Sequence, residues 1–167
     1  MPKFKAPNKG LILATCQPGK EEAAETEILD CLLPYDHEAE ALRTNFRGVI
    51  LARTTLNPVE AAELLRRCPM AYVHSIVPFQ VYVETSLQNI VDAALKLVHG
   101  KLKPDTTFAV RCRRRGRLVK SNADVERAVG AAITRATGAK VDLKKPQYTL
   151  LIEVVGELTG MHLQAVG

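Results

Sequence analysis

KVDLKKPQYTLLIEVVGE, residues 140–157, changes character halfway along. Its first part, through Pro146, is polar, charged and unable to sustain a ladder of backbone hydrogen bonds. From Tyr148 to Val155 it becomes a run of aromatic, β-branched and aliphatic side chains with Glu153 as its one charge. Proline cannot donate to a ladder and branched side chains fit a pleated surface, so the segment reads as a connector leading into a strand. Gly156–Glu157 turns the chain into TGMHLQAV (159–166), its second strand. Residues 140–143 leave room for a further short helix or strand.

Working back from that pair, ADVERAVGAAITRAT (123–137) reads as a helix, with Val125, Val129, Ala132, Ile133 and Ala136 on its inward stripe and Gly138 closing it. Ser121, three residues before Asp124, has the spacing of a helix-starting cap. TFAVRCR (107–113) reads as a strand. Alternation turns Phe108, Val110 and Cys112 inward and leaves Ala109, Arg111 and Arg113 on the exposed face. Between strand and cap, RRGRLVK (114–120) is a loop. Earlier still, a helix capped by Ser86 and stopped at Gly100 carries Ile90, Ala94, Leu97 and Val98 on one face. The second half therefore runs α-β-α-β-β.

The first half alternates between strand and helix periods. LILATC (11–16) is a strand, and EEAAETEILDCLL (21–33) a helix with Ala24, Ile28 and Cys31 or Leu32 inward. EALRTNFRGVILART (40–54) makes two strands that meet at Asn45–Gly48. Asn57–Pro58 opens a second helix with proline just inside its start. AYVHSIVPFQVYVET (71–85) is a strand in which Pro78 must break the ladder or sit on an edge. This β-α-β-β-α-β order is the ferredoxin-like split pattern. The expectation is an α+β chain: a ferredoxin-like domain over residues 1–84, packed on an α/β domain over 85–167.

Charge is distributed unevenly between these halves. Residues 1–84 hold 9 Lys and Arg against 11 Asp and Glu, whereas residues 85–167 hold 14 against 7. Within the second half, residues 101–120 alone carry eight cations against Asp105. They are Lys101, Lys103, Arg111, Arg113, Arg114, Arg115, Arg117 and Lys120, and they lead into Ser121 at a helix start. Arginine forks match phosphate oxygens two at a time, lysine adds a point charge, and a helix N-terminus offers free N–H groups. All nine residues are candidates for holding a polyanion. The chain has no Trp, and Phe108 reads as buried, so recognition would rest on backbone charge and shape more than on base stacking.

Catalytic patterns are missing. The sequence has no Walker-type phosphate loop, no GxGxxG after a strand and no GxSxG elbow. His37, His74, His99 and His162 are scattered, and Cys16, Cys31, Cys68 and Cys112 are 15, 37 and 44 residues apart. Such spacing suggests neither zinc nor a redox dithiol, and the cysteines read as small buried hydrophobes in a reducing compartment. No metal, cofactor or small-molecule substrate is expected, and by these signs the chain is not an enzyme by itself. No run of 18 apolar residues exists, and the stretch after the basic MPKFKAPNKG start is too short for a signal peptide, so a cytoplasmic protein is expected.

FAVRCRRRGR (108–117), SNADVERAVGAAI (121–133) and above all VDL-x-x-P-x-x followed by an apolar strand (141–155) resemble the THUMP domain, an RNA-binding module of tRNA-modifying enzymes. The first half is similar to the ferredoxin-like domain that usually precedes it. The resemblance implies docking of the acceptor stem and CCA end of tRNA. It also implies similarity to stand-alone THUMP proteins that assist a separate tRNA cytidine acetyltransferase in making N4-acetylcytidine in the D arm. The alternative is the RNA-binding part of a thiouridine synthase, methyltransferase or pseudouridine synthase.

Overall fold

The computed structural model describes residues 10–166, so most of the basic N-terminal segment, residues 1–9, lies outside the described residues. The chain divides into two compact units between Phe79 and Gln80.

The first unit follows the order β1 (Gly10–Cys16), α1 (Glu21–Leu32), β2 (Glu40–Arg43), β3 (Val49–Thr54), α2 (Pro58–Arg67) and β4 (Val73–Phe79). Its sheet is antiparallel in the order β2-β3-β1-β4, as the ferredoxin-like pattern requires. Ile12, Ala14, Ile50 and Ala52 face Ala24, Ile28, Leu32, Ala61 and Leu65 of the two helices in one apolar core. Local chemistry sets the boundaries. The Asn57 side chain accepts from the N–H groups of Val59 and Glu60, and Pro58 has no N–H to leave unsatisfied. Pro78 is tolerated because β4 lies at the sheet edge.

The expectation that all four cysteines are reduced is corrected here. Cys31, in the last turn of α1, and Cys68, just after α2, form a disulfide with a Cα–Cα distance of 6.3 Å. The two helices lie on the same face of the sheet, and that brings together residues 37 apart in sequence. Cys16 and Cys112 are free and buried.

The second unit runs β5 (Val81–Glu84), α3 (Leu87–Val98), β6 (Thr107–Arg115), α4 (Asn122–Thr137), β7 (Lys140–Val141), β8 (Tyr148–Val155) and β9 (Leu158–Ala165). The sheet order is β5-β9-β8-β6-β7. β6 pairs in parallel with β7 and β8, and the other pairs are antiparallel. The strand read through residue 85 thus ends at Phe79, and Val81–Glu84 pairs with β9 in the other sheet. The chain at 140–143 forms a short strand. Ser86 and Ser121 each cap a helix, accepting from Asn89 and Asp124 at 3.0 Å. Gly138 takes φ +78, the left-handed conformation that ends α4 without steric cost. Ile90, Ala94 and Val98 of α3 and Val125, Val129 and Ile133 of α4 pack against Phe108, Val110, Leu150 and Ile152. Ala136, expected inward, is exposed, while Gly130 is buried.

Candidate nucleic-acid interface

β6 decides where the arginines go. It is longer than the sequence suggests, because its parallel ladder with β8 continues through Arg114↔Val154 and Arg115↔Val155. Arg114 and Arg115, expected in the loop, are therefore the last two residues of the strand. Phe108, Val110 and Cys112 point into the helix-side core, and Arg111, Arg113 and Arg115 alternate onto the opposite face. Ala109, expected exposed on that face, is buried, since a methyl group does not stand above a sheet as an arginine does.

The arginines divide by what they touch. Arg115 pairs with Glu153 on the neighbouring strand at 3.4 Å, with side-chain exposures of only 9% and 11%. Burial raises the Glu153 carboxyl above its ordinary range and lowers the Arg115 guanidinium, so loss of water outweighs their mutual attraction. This pair bridges β6 and β8 and presents little charge to the outside. Arg114 is spent on the loop: its guanidinium donates to the carbonyls of Val119 at 3.1 Å and Lys120 at 2.9 Å. Its own N–H donates to Asn122 Oδ1 at 2.7 Å. Arg111 donates to the Leu143 carbonyl at 2.9 Å and remains exposed. Arg113, Arg117 and Lys120 are exposed, and among the described residues none has an ion-pair partner.

Arg113 thus lies near the end of β6 on the face away from the helices, and Arg117 and Lys120 lie on the loop that leads to the α4 N-terminus at Ser121. Lys101 and Lys103 are not part of that group. Both are exposed, but they precede the start of β6, roughly 26 Å away along a nine-residue strand. The helix end contributes less than its position suggests, because Asp124 already sits in its positive first turn. Cys112, inside the same strand, is inert: burial pushes its thiol up to about 12.

The sequence reading missed a second set of cations. Lys140, Lys144 and Lys145 are exposed in and after β7, beside β6, and Arg127 is exposed on α4. The three lysines among the six residues of KVDLKK are overlooked when only the arginine run is counted. Val141 and Leu143 are 52% and 59% exposed and border a groove of about 510 Å³ shared with Arg111, Gly130 and Ala131. Arg111 and Arg127 border this largely apolar groove together with one acid, Glu126. Among the described residues no cluster of His, Cys, Asp or Glu is arranged to hold a metal. No helix among them is long and apolar enough to cross a membrane.

Residues 84–164 match the model of the THUMP domain, and a THUMP domain is present. A tRNA sulfurtransferase of Haemophilus ducreyi is 36% identical over 96 residues, which are 57% of this chain and 19% of that protein. A tRNA (guanine(6)-N2)-methyltransferase of Thermus thermophilus is 36% identical over 95 residues, 54% of this chain and 28% of its own. The crystal structure of TrmN from Thermus thermophilus superposes with a TM-score of 0.67 at 29% identity, covering 95% of this chain and 46% of that one. The chain spans less than a third of the length of these two curated relatives. The expectation that it is not an enzyme is overturned by these relatives, which are named as tRNA-modifying enzymes. The missing catalytic motifs describe only the region compared.

Proposed function

We propose that this chain is the tRNA-binding part of a tRNA-modifying enzyme of the sulfur- or methyl-transferring kind, acting on tRNA in the cytoplasm. It docks the acceptor stem and CCA end, and a catalytic domain acts on a distant nucleotide. The observation that carries this reading is the THUMP domain's exposed Arg113, Arg117 and Lys120, without ion-pair partners among the described residues, on the end of β6 and the loop leading to α4. Cations left without internal partners on a rigid strand and a braced turn are available to phosphate at little ordering cost. The named activities of the relatives favour this reading over an adaptor for a separate cytidine acetyltransferase.

Titration of a fluorescent tRNA transcript across a salt series tests it. Affinity is expected to fall linearly with log salt, and removal of the 3′ CCA end to weaken binding. Arg113→Ala should lower the salt slope by about one while leaving the melting temperature unchanged. Absence of tRNA binding at low salt overturns the proposal.

A further inference from the structure

The turn between β7 and β8 is fastened to β6 at both ends. At its start, the Asp142 N–H donates to the Phe108 carbonyl at 2.9 Å. At its close, the Gln147 N–H is shared between the Thr107 carbonyl at 3.1 Å and its hydroxyl at 3.0 Å. The Thr107 N–H answers by donating to Gln147 Oε1 at 2.9 Å. Between these anchors, Asp142 Oδ1 accepts the N–H groups of both Lys144 and Lys145 at 3.0 Å. Arg111 holds the crest through the Leu143 carbonyl.

The lysine side chains themselves stay exposed and, among the described residues, neither is in an ion pair. Asp142, the acid within the turn, is committed to their backbone: the N–H groups of Lys145 and then Lys144 hold its carboxyl below its usual range. A negative charge inside a basic surface normally weakens anion binding. Here it is kept, and it fixes the direction of two adjacent cations. A flexible loop carrying the same lysines would have to be ordered on binding, at a cost that this bracing removes.

We propose that the turn 142–145 is a second phosphate-holding arm of the interface, in which Lys144 and Lys145 contact the RNA backbone and Asp142 and Arg111 are positioning residues. This rests on the tRNA-binding reading above. The arm lies beside the start of β6, at Thr107 and Phe108. Arg111 reaches back to it from further along the strand, so a phosphate chain running along β6 from the arm would meet Arg111 and then the arginines at its end. RNA is favoured over an acidic protein because the arm belongs to the THUMP domain and holds two neighbouring lysines, without acid partners among the described residues, where a continuous phosphate backbone could meet both.

Four forms of the whole chain are compared for tRNA binding across a salt series: wild type, Lys144→Ala with Lys145→Ala, Asp142→Ala and Asp142→Asn. The double lysine variant should lower the salt slope by about two. Asp142→Ala should weaken binding by roughly threefold or more, although it removes a negative charge, because the turn loses its brace. Asp142→Asn keeps an acceptor for the turn and should bind as well as wild type or better. Wild type that binds no tRNA overturns the functional reading and this arm together. Wild type that binds while the lysine variant matches it in affinity and slope overturns the arm alone. Tighter binding by Asp142→Ala overturns the positioning role, leaving simple electrostatics. Equal competition by polyglutamate overturns the assignment to RNA.

Discussion

The two compact units use charge in opposite ways. In the first, carboxylates are spent on the chain's own backbone and hydroxyl groups. Asp36, buried, accepts from the Thr54 hydroxyl at 2.7 Å, from the N–H and hydroxyl of Thr55 at 2.8 Å and from the Glu38 N–H at 3.1 Å. Glu27 gathers the N–H groups of Ala71, Tyr72 and Val73, and Glu21 those of Gly19 and Gly48. Its arginines at 43 and 53 pair with Glu25 and Glu40. In the second unit one ion pair is buried, and Arg113, Arg117, Lys120, Lys144 and Lys145 face outward without acid partners. Charge satisfied internally builds a fold, whereas charge left unsatisfied on a rigid frame is available to a ligand.

That contrast can be broken most severely at its exception, Glu153. Glu153→Ala leaves Arg115 buried without a partner and should destabilise the second unit by roughly 3 kcal/mol or more. Replacing both residues, Arg115→Met with Glu153→Leu, should recover most of that loss if burial and not attraction dominates the pair. Denaturant unfolding of the three forms measures this, and an equally unstable double variant would contradict the account.

In the first unit the corresponding staple is covalent. Reducing Cys31–Cys68, or substituting both by serine, should lower stability by about 2 to 4 kcal/mol, because a closed loop of this length restricts the unfolded chain. Thiol counting with and without reductant, followed by denaturant unfolding, reads the effect. Hydrogen exchange should place it in residues 10–79, with the second unit unchanged.

The smallest effect is the response to pH between 7 and 5. Glu21, Glu27 and Asp36 have lowered pKa values, so what they contribute is complete above the ordinary carboxylate range of about 4 and is lost only as pH falls below it. At Glu27 and Asp36 burial opposes ionisation, and the donated hydrogen bonds outweigh it. Glu153 has the opposite sign: its raised pKa makes its contribution complete below its unfolded value and lost as pH rises through its folded one. As pH falls through the raised Glu153 value, protection factors (exchange corrected for its intrinsic pH dependence) should rise slightly in the second unit and stay unchanged in the first. Below pH 4 the order should reverse, with the first unit losing protection earlier. Parallel loss in both units would erase the distinction.

Much of this architecture was legible in periodicity. Both helix caps in the second unit, the Asn57–Pro58 helix start, the hairpin at Asn45–Gly48 and the strand pair at 148–165 followed from local rules, because caps and turns depend on residues three or four apart. The edge position of Pro78 was one of two options the sequence left open, and sheet order chose it. The site was legible only as a pool of charge. Nothing local distinguishes Arg113 from Arg115, two residues apart on one face, until β8 brings in Glu153, which stands opposite Arg113 in register yet pairs diagonally with Arg115.

The sequence by itself determined that this is an α+β chain with its cations concentrated in the second half, since hydrophobic period and composition are properties of the chain alone. Tertiary structure decided which cations are free. It covered most of the Arg115 side chain and tied the exposed Arg114 to the carbonyls of the loop. It left Lys101 and Lys103 ahead of the start of β6, and it fastened the turn of Lys144 and Lys145 beside that same start. The physical reason is the same in each case. Whether a charge is available depends on its neighbours in space, and parallel strand pairing sets those across tens of residues.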